Sequence, residues 1–329
     1  MKRKDVINII LFVLVFAFAA YRYSVQTYTS QRSAFVMDTI VDIKIETKYK
    51  NANELLDNTF ILMEDYENKF SFYKEESLIW KFNNSIIDSL FLDEDLKKII
   101  SISKELYDKT ETHYDITIGA LSEIWDFENE IIPTNEEIAK AIKVTDFKKL
   151  KIENNYLHKP DGMKINLGSL AKGYIVDKAV EYLKQQNVIS GFVNAGGDMR
   201  IFGRKKPFKI GIQHPRSEAN ELINVIDVGN KSVVTSGDYE RYFIKDNIRY
   251  HHIIDPLTGF PSQKAISVTV IAETALIADA YSTALFLLEP QQAIKLTEET
   301  NGLDAVVYFF KEDNIEKLET QGMKEFYEK

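Results

Sequence analysis

The stretch GFVNAGGDMRIFG, residues 191–203, reads as two short strands about Gly196-Gly197-Asp198, either a plain tight turn or one whose glycines let a flat ligand or a phosphate chain approach the backbone. Strands joined by so short a turn pair antiparallel, since a parallel pair needs a crossover of a dozen residues or more. The pattern continues to about Ala272 through FKIGIQ, LINVIDV, SVVTSG, RYFIKD, RYHHII and ISVTVIA, punctuated by Gly, Asn and Asp. Just upstream, KINLGSLAKGYIVDKAVEYLKQQ (164–186) reads as a strand end, a small-residue turn and a long amphipathic helix.

Outward from there, helical spacing of apolar residues predicts helices over 53–70 and 94–107. Thr134 with Glu137 three residues on predicts a capped short helix. Further helices are expected at about 274–288 and 290–300, before a terminal strand, AVVYFF. Ala34–Glu46 alternates apolar and polar residues as one strand, after a polar link around Gln26–Arg32. Strand-rich blocks with interspersed helices predict an α+β fold of mixed, largely antiparallel sheets packed with helices, not a βαβ alternation. With no internal repeat or long linker, the division is residues 1–32, an apolar segment plus link, and 33–329, one compact unit.

The 41 Lys and Arg against 50 Asp and Glu, a net charge of -9, exclude a basic nucleic-acid footprint. A polyanionic ligand would need a local cation. The absence of cysteine excludes disulfides, thiolate-ligated zinc, iron–sulfur clusters and a thiol nucleophile. At the N-terminus, Lys2, Arg3 and Lys4 precede an apolar run from Val6 to Tyr21, the arrangement of an export signal. The run is short for a spanning helix of about 20 residues, and Ala17-Phe18-Ala19 resembles a cleavage site, so anchor and cleaved signal both remain open. Either way the positive-inside rule puts the rest of the chain outside the cytoplasm.

Within ALIADAYSTALFLL (275–288), Asp279 and Thr283 are four residues apart and share a helix face. Two oxygen donors suit a hard cation, although a solvated Asp beside a Thr bonded to its own helix has the same spacing. In LGSLAKGYIVD (167–177), Gly168 and Ser169 lead into a helix start with Lys172 in its first turn, an anion cradle or an ordinary helix start. It is neither a Walker A loop nor G-x-G-x-x-G. VVTSGDYERYF (233–243) packs Thr235, Ser236, Gly237 and Asp238 into one turn, and a structural or a functional reading fits. In RYHHII, alternation sends His251 and His252 to opposite faces, so they cannot chelate one metal together. One of them, beside the DPLTG turn, is a candidate proton acceptor.

Taken in order, these segments resemble the ApbE family of flavin transferases. The resemblance is carried by MDT (37–39), FSFYKEESLIWKFN (70–83), HYDITIGALSEIWDF (113–127), NLGSLAKGYIVDKA (166–179), VNAGGD (193–198), VTSGDYER (234–241), HHIIDPLTGFP (251–261) and SVTVIAETALIADAYSTALF (267–286). It implies a T-fold-like α+β architecture and a Mg²⁺-dependent, extracytoplasmic enzyme. Such an enzyme takes FMN from FAD, releases AMP and joins the FMN by a phosphoester bond to a Thr or Ser of an acceptor flavoprotein. The acceptor would be an exported or membrane redox subunit with a Ser/Thr-Gly-Ala-Thr/Ser-like site, a motif this chain lacks. The resemblance also implies metal ligation by Asp279, Thr283 and the carbonyl of Ser169. It implies FAD contacts at Met37, Tyr73, Thr117, Ile118, Gly119, Asn166, Lys172 and Ile254, and a base at His252. Asn166 stands where the family has Asp, and Asp38 where it often has Gly; on a continuous strand Asp38 would point away from Met37 and Thr39. Hydrolysis of FAD to free FMN and AMP, and flavin binding without catalysis, are the competing readings.

Overall fold

Eight strands lie side by side in one sheet in the order in which they occur in the chain. They are β1 (Tyr28–Val36), β2 (Thr39–Thr47), β3 (Ser190–Ala195), β4 (Asp198–Phe202), β5 (Ser232–Gly237), β6 (Ser267–Ala272), β7 (Asp304–Lys311) and β8 (Asn314–Glu319). Every neighbouring pair is antiparallel. The structure, a computed structural model, describes residues 3–217, 221–312 and 314–327; Lys2 of the basic flank lies outside them.

Pleat alternation sorts the sheet into two apolar faces. Val41, Ile43, Ile45, Val193, Val268 and Val270 join the main core with helices α2 (Asn53–Phe70), α3 (Glu94–Lys109), α4 (Ala171–Gln185) and α5 (Ala275–Phe286). Ile201, Val233, Ile271 and Val306 face the other way, under a hairpin of Phe208–Gln213 and Leu222–Val228 and the side chain of Met323. Covered on both sides, β6 is buried at every residue, including the polar Ser267 and Thr269. A small third cluster, Leu121, Trp125, Ile138, Ala141, Phe243 and Ile254, ties two short helices (Gly119–Ile124 and Asn135–Val144) to the hairpin Tyr242–Lys245/Ile248–His251. The second of these helices carries the expected Thr134–Glu137 capping box. The architecture is thus the α+β arrangement expected.

Four local expectations are corrected. Thr235, Ser236 and Gly237 do not make a turn with Asp238 but are the last residues of β5, paired with β6. Ala34–Glu46 is not one strand: Met37 and Asp38 have φ of 58° and 54° and form the tip of the β1–β2 hairpin. Two successive left-handed residues are what a tight hairpin turn requires, and Asp tolerates that region better than most residues. Asp38 therefore sits at a turn, not on the far face of a strand. The polar link shrinks to Val25–Thr27, because Tyr28–Arg32 already belong to β1. At the start of 164–186 there is no strand, only an isolated bridge between Lys164 and Ile118.

A helix precedes the sheet: α1 of the chain's N-terminus, Arg3–Ser24, is numbered before the four above. Its 22 residues extend past the apolar run at both ends, reaching about 33 Å at 1.5 Å per residue. That matches a hydrocarbon core of about 30 Å, so the segment Arg3–Tyr23 is long and apolar enough to cross a membrane.

Candidate active site

Helices α4 and α5 cross near their starts and cap one another. Gly173, in the first turn of α4, donates its N–H to Asp279 Oδ2 at 2.8 Å. In return Asp177 of α4 accepts the N–H groups of Ala275 and Leu276, the first of α5, at 2.8 and 3.0 Å. Each carboxylate thus satisfies donors that a helix start leaves without an intrahelical partner. Arg200 of β4 pairs with Asp177 from the sheet.

This arrangement concentrates charge. Lys172 Nζ lies 3.2 Å from Asp198 Oδ2, which has no hydrogen-bond partner. Burial alone would lower the Lys172 pKa, but Asp198, Asp279 and Glu240 outweigh it and hold the ammonium above its ordinary range. Burial raises the carboxyl of Asp279 well above its ordinary value, and the negative charge of Asp198 adds to the effect. Asp198 is raised by burial against the pull of Lys172. Glu240, open on the cleft side but otherwise enclosed, is pushed up to about 7 by loss of water around it. Three carboxyls share one ammonium, an excess of negative potential that a divalent cation would relieve.

Two cavities open above this cluster. The larger, about 960 Å³, is walled by the β1–β2 tip (Met37, Asp38, Thr39), the β3–β4 tip and the strand Lys209–Gln213. The two tips touch: a Cβ on Gly196 would come 2.3 Å from Thr39 Oγ1, and Gly196 has φ of 60°, so glycine is required twice over. The smaller cavity, about 240 Å³, combines the apolar Ile118, Ile254, Phe127 and Leu287 with Ser169 and Thr283. The cavities adjoin at Tyr73, Asn166, Gly168, Arg241 and His252.

The paired histidines have separate environments. His251, 1% exposed, donates Nε2–H to the carbonyl of Ser262 at 2.7 Å, accepts the N–H of Ile253 at Nδ1 and packs edge-on against Phe286. Burial lowers its pKa to about 4. His252, just past the strand, turns its ring to the junction of the cavities. His252 is exposed to the cleft; the surrounding protein lowers its pKa by partial loss of water, and the charges of His251, Lys172 and Arg241 push the same way, which favours the neutral imidazole.

The structure brings most of the expected residues together. Met37, Tyr73, Asn166, Lys172 and His252 line the larger cavity, and Tyr73, Ile118, Asn166, Ser169, His252, Ile254 and Thr283 the smaller. Asp279 lies beneath, lining neither. Thr117 and Gly119 stand behind the wall: Thr117 donates its N–H and hydroxyl to Asp115 Oδ1, and Gly119 donates its N–H to the carbonyl of Lys164. The anion cradle at 167–177 is largely self-satisfied, since Gly168 N–H goes to Asn166, Gly173 N–H to Asp279 and Lys172 to Asp198. In the Asn166 amide, Oδ1 takes that Gly168 N–H and Nδ2 donates to Ser122, so both ends are engaged. Sequence reasoning gave no role to Asp177, Glu240, Arg241 or Tyr114, whose hydroxyl meets Ser169 Oγ at 2.8 Å. All four lie in segments that carry the family resemblance, 113–127, 166–179 and 234–241, but none was singled out within them.

The donor set expected from the resemblance is one carboxylate, one hydroxyl and one backbone carbonyl, and there is no group of three His, Cys, Asp or Glu suited to a metal among the described residues. Such a set fits a hard cation that keeps waters and ligand phosphates in its shell.

A model of the ApbE family matches residues 37–307. The FAD:protein FMN transferases of Escherichia coli K12 and Haemophilus influenzae are each 32% identical, over 74% and 73% of this chain and 74% of each relative. That of Vibrio cholerae is 29% identical over 82% of this chain and 83% of its own. Among solved structures, the ApbE protein of Thermotoga maritima superposes with a TM-score of 0.82 at 33% identity, covering 92% of this chain and all (100%) of that one. The flavin transferase ApbE of Vibrio cholerae gives 0.82 at 27% identity, over 92% and 100% of the two chains.

Proposed function

Because the chain belongs to the ApbE family and is a flavin transferase, we propose the reaction in detail: Mg²⁺-dependent transfer of FMN from FAD to a Thr or Ser of an acceptor flavoprotein, with release of AMP. The observation that carries this reading is the position of His252 at the junction of two cavities large enough together to take a dinucleotide. FAD would lie across the junction, one half against Met37 and Tyr73 and the other against Ile118, Asn166 and Ile254.

The acceptor hydroxyl oxygen forms a new bond to the FMN phosphorus as the bond from that phosphorus to the AMP oxygen breaks. The hydroxyl proton passes to His252, whose neutral imidazole suits a general base at pH 7. AMP leaves as a phosphate monoester. Asp279, Thr283 and the Ser169 carbonyl would hold Mg²⁺, which supplies charge neutralisation to the pyrophosphate. Gly173 keeps Asp279 in place from α4, and the apolar walls of the smaller cavity exclude water that would otherwise compete with the acceptor.

Lys2, Arg3 and Lys4, ahead of the apolar run, support a membrane-anchored enzyme with its sheet on the extracytoplasmic side, acting on an exported or membrane redox subunit. The test is incubation with FAD, Mg²⁺ and a flavoprotein acceptor. Flavin fluorescence that stays with the acceptor through denaturation supports transfer; free FMN and AMP without labelled acceptor would make the chain an FAD pyrophosphatase.

A further inference from the structure

We propose that Arg241 is the phosphate-binding cation of the cleft, its guanidinium taking pyrophosphate oxygens of the dinucleotide where the two cavities adjoin. The inference rests on the transferase reading for the identity of the ligand.

Three observations converge on this residue. First, Arg241 lines both cavities. A dinucleotide with one half in each must pass its pyrophosphate through that junction.

Second, the other donors suited to an anion are already engaged. Lys172 is held by Asp198, and the N–H groups of Gly168 and Gly173 by Asn166 and Asp279. The Arg241 side chain forms no ion pair among the described residues; its one side-chain hydrogen bond is long, 3.4 Å from Nη1 to the Tyr73 hydroxyl. Asp126 feels its charge only at a distance, so most of the guanidinium donors are available for a ligand.

Third, the guanidinium, though exposed, lies among aromatic rings on the cleft wall. Its centre is 5.6 Å from the Tyr73 ring centroid and 5.8 Å from that of Phe127. Aromatic neighbours do not consume the N–H donors, and the fork of donors on a guanidinium matches phosphate oxygens in a two-point contact. The carbonyl of Arg241 also accepts the N–H of His252 at 3.1 Å, so the phosphate-binding group and the base candidate are fixed to one another through backbone.

The experiment compares wild type with Arg241→Gln at constant free Mg²⁺. FAD binding is read by flavin fluorescence, and inorganic pyrophosphate serves as a competitor that has no ring to stack on Tyr73. Loss of a charge-assisted contact weakens both ligands by about 10- to 100-fold. If FAD weakens while pyrophosphate competes unchanged, Arg241 acts through Tyr73 and the proposal is wrong. It is equally wrong if pyrophosphate fails to compete with wild type, or if Gln binds both ligands as well as Arg does. A wild-type protein that binds FAD with this dependence yet labels no acceptor would remove the transferase reading and leave Arg241 standing as a phosphate site.

Discussion

Gly173 and Asp279 are in contact across two helices: the N–H of one meets the carboxylate of the other, and there is no room between them for a side chain. A Cβ on Gly173 would come 2.3 Å from the carbonyl oxygen of Ala275 and 2.7 Å from Asp279 Cβ. Gly173→Ala must therefore push α4 and α5 apart. Overpacking of this kind costs about 1–3 kcal/mol, and it also displaces the carboxylate beneath the cavities. Denaturant unfolding should show the loss together with a fall in transfer; an unchanged midpoint would mean that the helices are not in this contact.

Asp177 is the other half of the exchange. Asp177→Ala leaves two buried N–H groups and Arg200 without their acceptor, and breaking a buried pair by removing one partner costs about 3–5 kcal/mol. Asp177 touches neither cavity, so transfer per folded molecule should change far less than stability. Equal losses in both would argue against a purely structural carboxylate.

His251 should make the fold sensitive to acid. Its pKa is lowered to about 4 in the folded protein from an ordinary 6.5, so the folded state binds the proton less readily than the unfolded chain. Its contribution to stability is therefore present above about pH 6.5 and lost as pH falls toward 4, at no more than about 1.4 kcal/mol per pH unit. Replacing it with Phe should flatten that part of the stability–pH curve. Parallel curves for wild type and variant would show that His251 does not titrate in this way.

The neighbouring histidine should behave as a chemical group. His252→Ala is expected to slow transfer by about 100-fold or more while FAD binding changes little. Because the ring's pKa is lowered in the cleft, the acid limb of the wild-type rate profile should lie below the ordinary imidazole range. Equal effects on binding and rate would make His252 a contact residue only.

How much of this was legible in the sequence depended on how far apart the interacting residues are. The 191–203 hairpin, the capping box at Thr134 and the helix bearing Asp279 and Thr283 are local signals, and each stands as read. Met37-Asp38 was missed because the alternation of I-V-D-I-K-I-E was carried back through V-M-D-T, where it breaks: Asp38 and Thr39 are adjacent polar residues between apolar pairs, and with the tolerance of Asp for positive φ that break marks the turn. The anion cradle misled for a different reason. Lys172 is followed by its partner Asp198 only after 26 positions, counted from the residue numbers, so its neutralisation is a tertiary fact. Arg241 shows the converse: nothing nearby in the chain marks it as unpaired, and only the assembled cleft does.

The most direct test of the account is the intact mass of an acceptor flavoprotein after incubation with this enzyme, FAD and Mg²⁺. The account predicts a gain of one FMN joined through phosphate, with AMP released in equal amount, and no gain with Asp279→Ala or with the acceptor hydroxyl removed. An acceptor of unchanged mass beside accumulating FMN and AMP would contradict it.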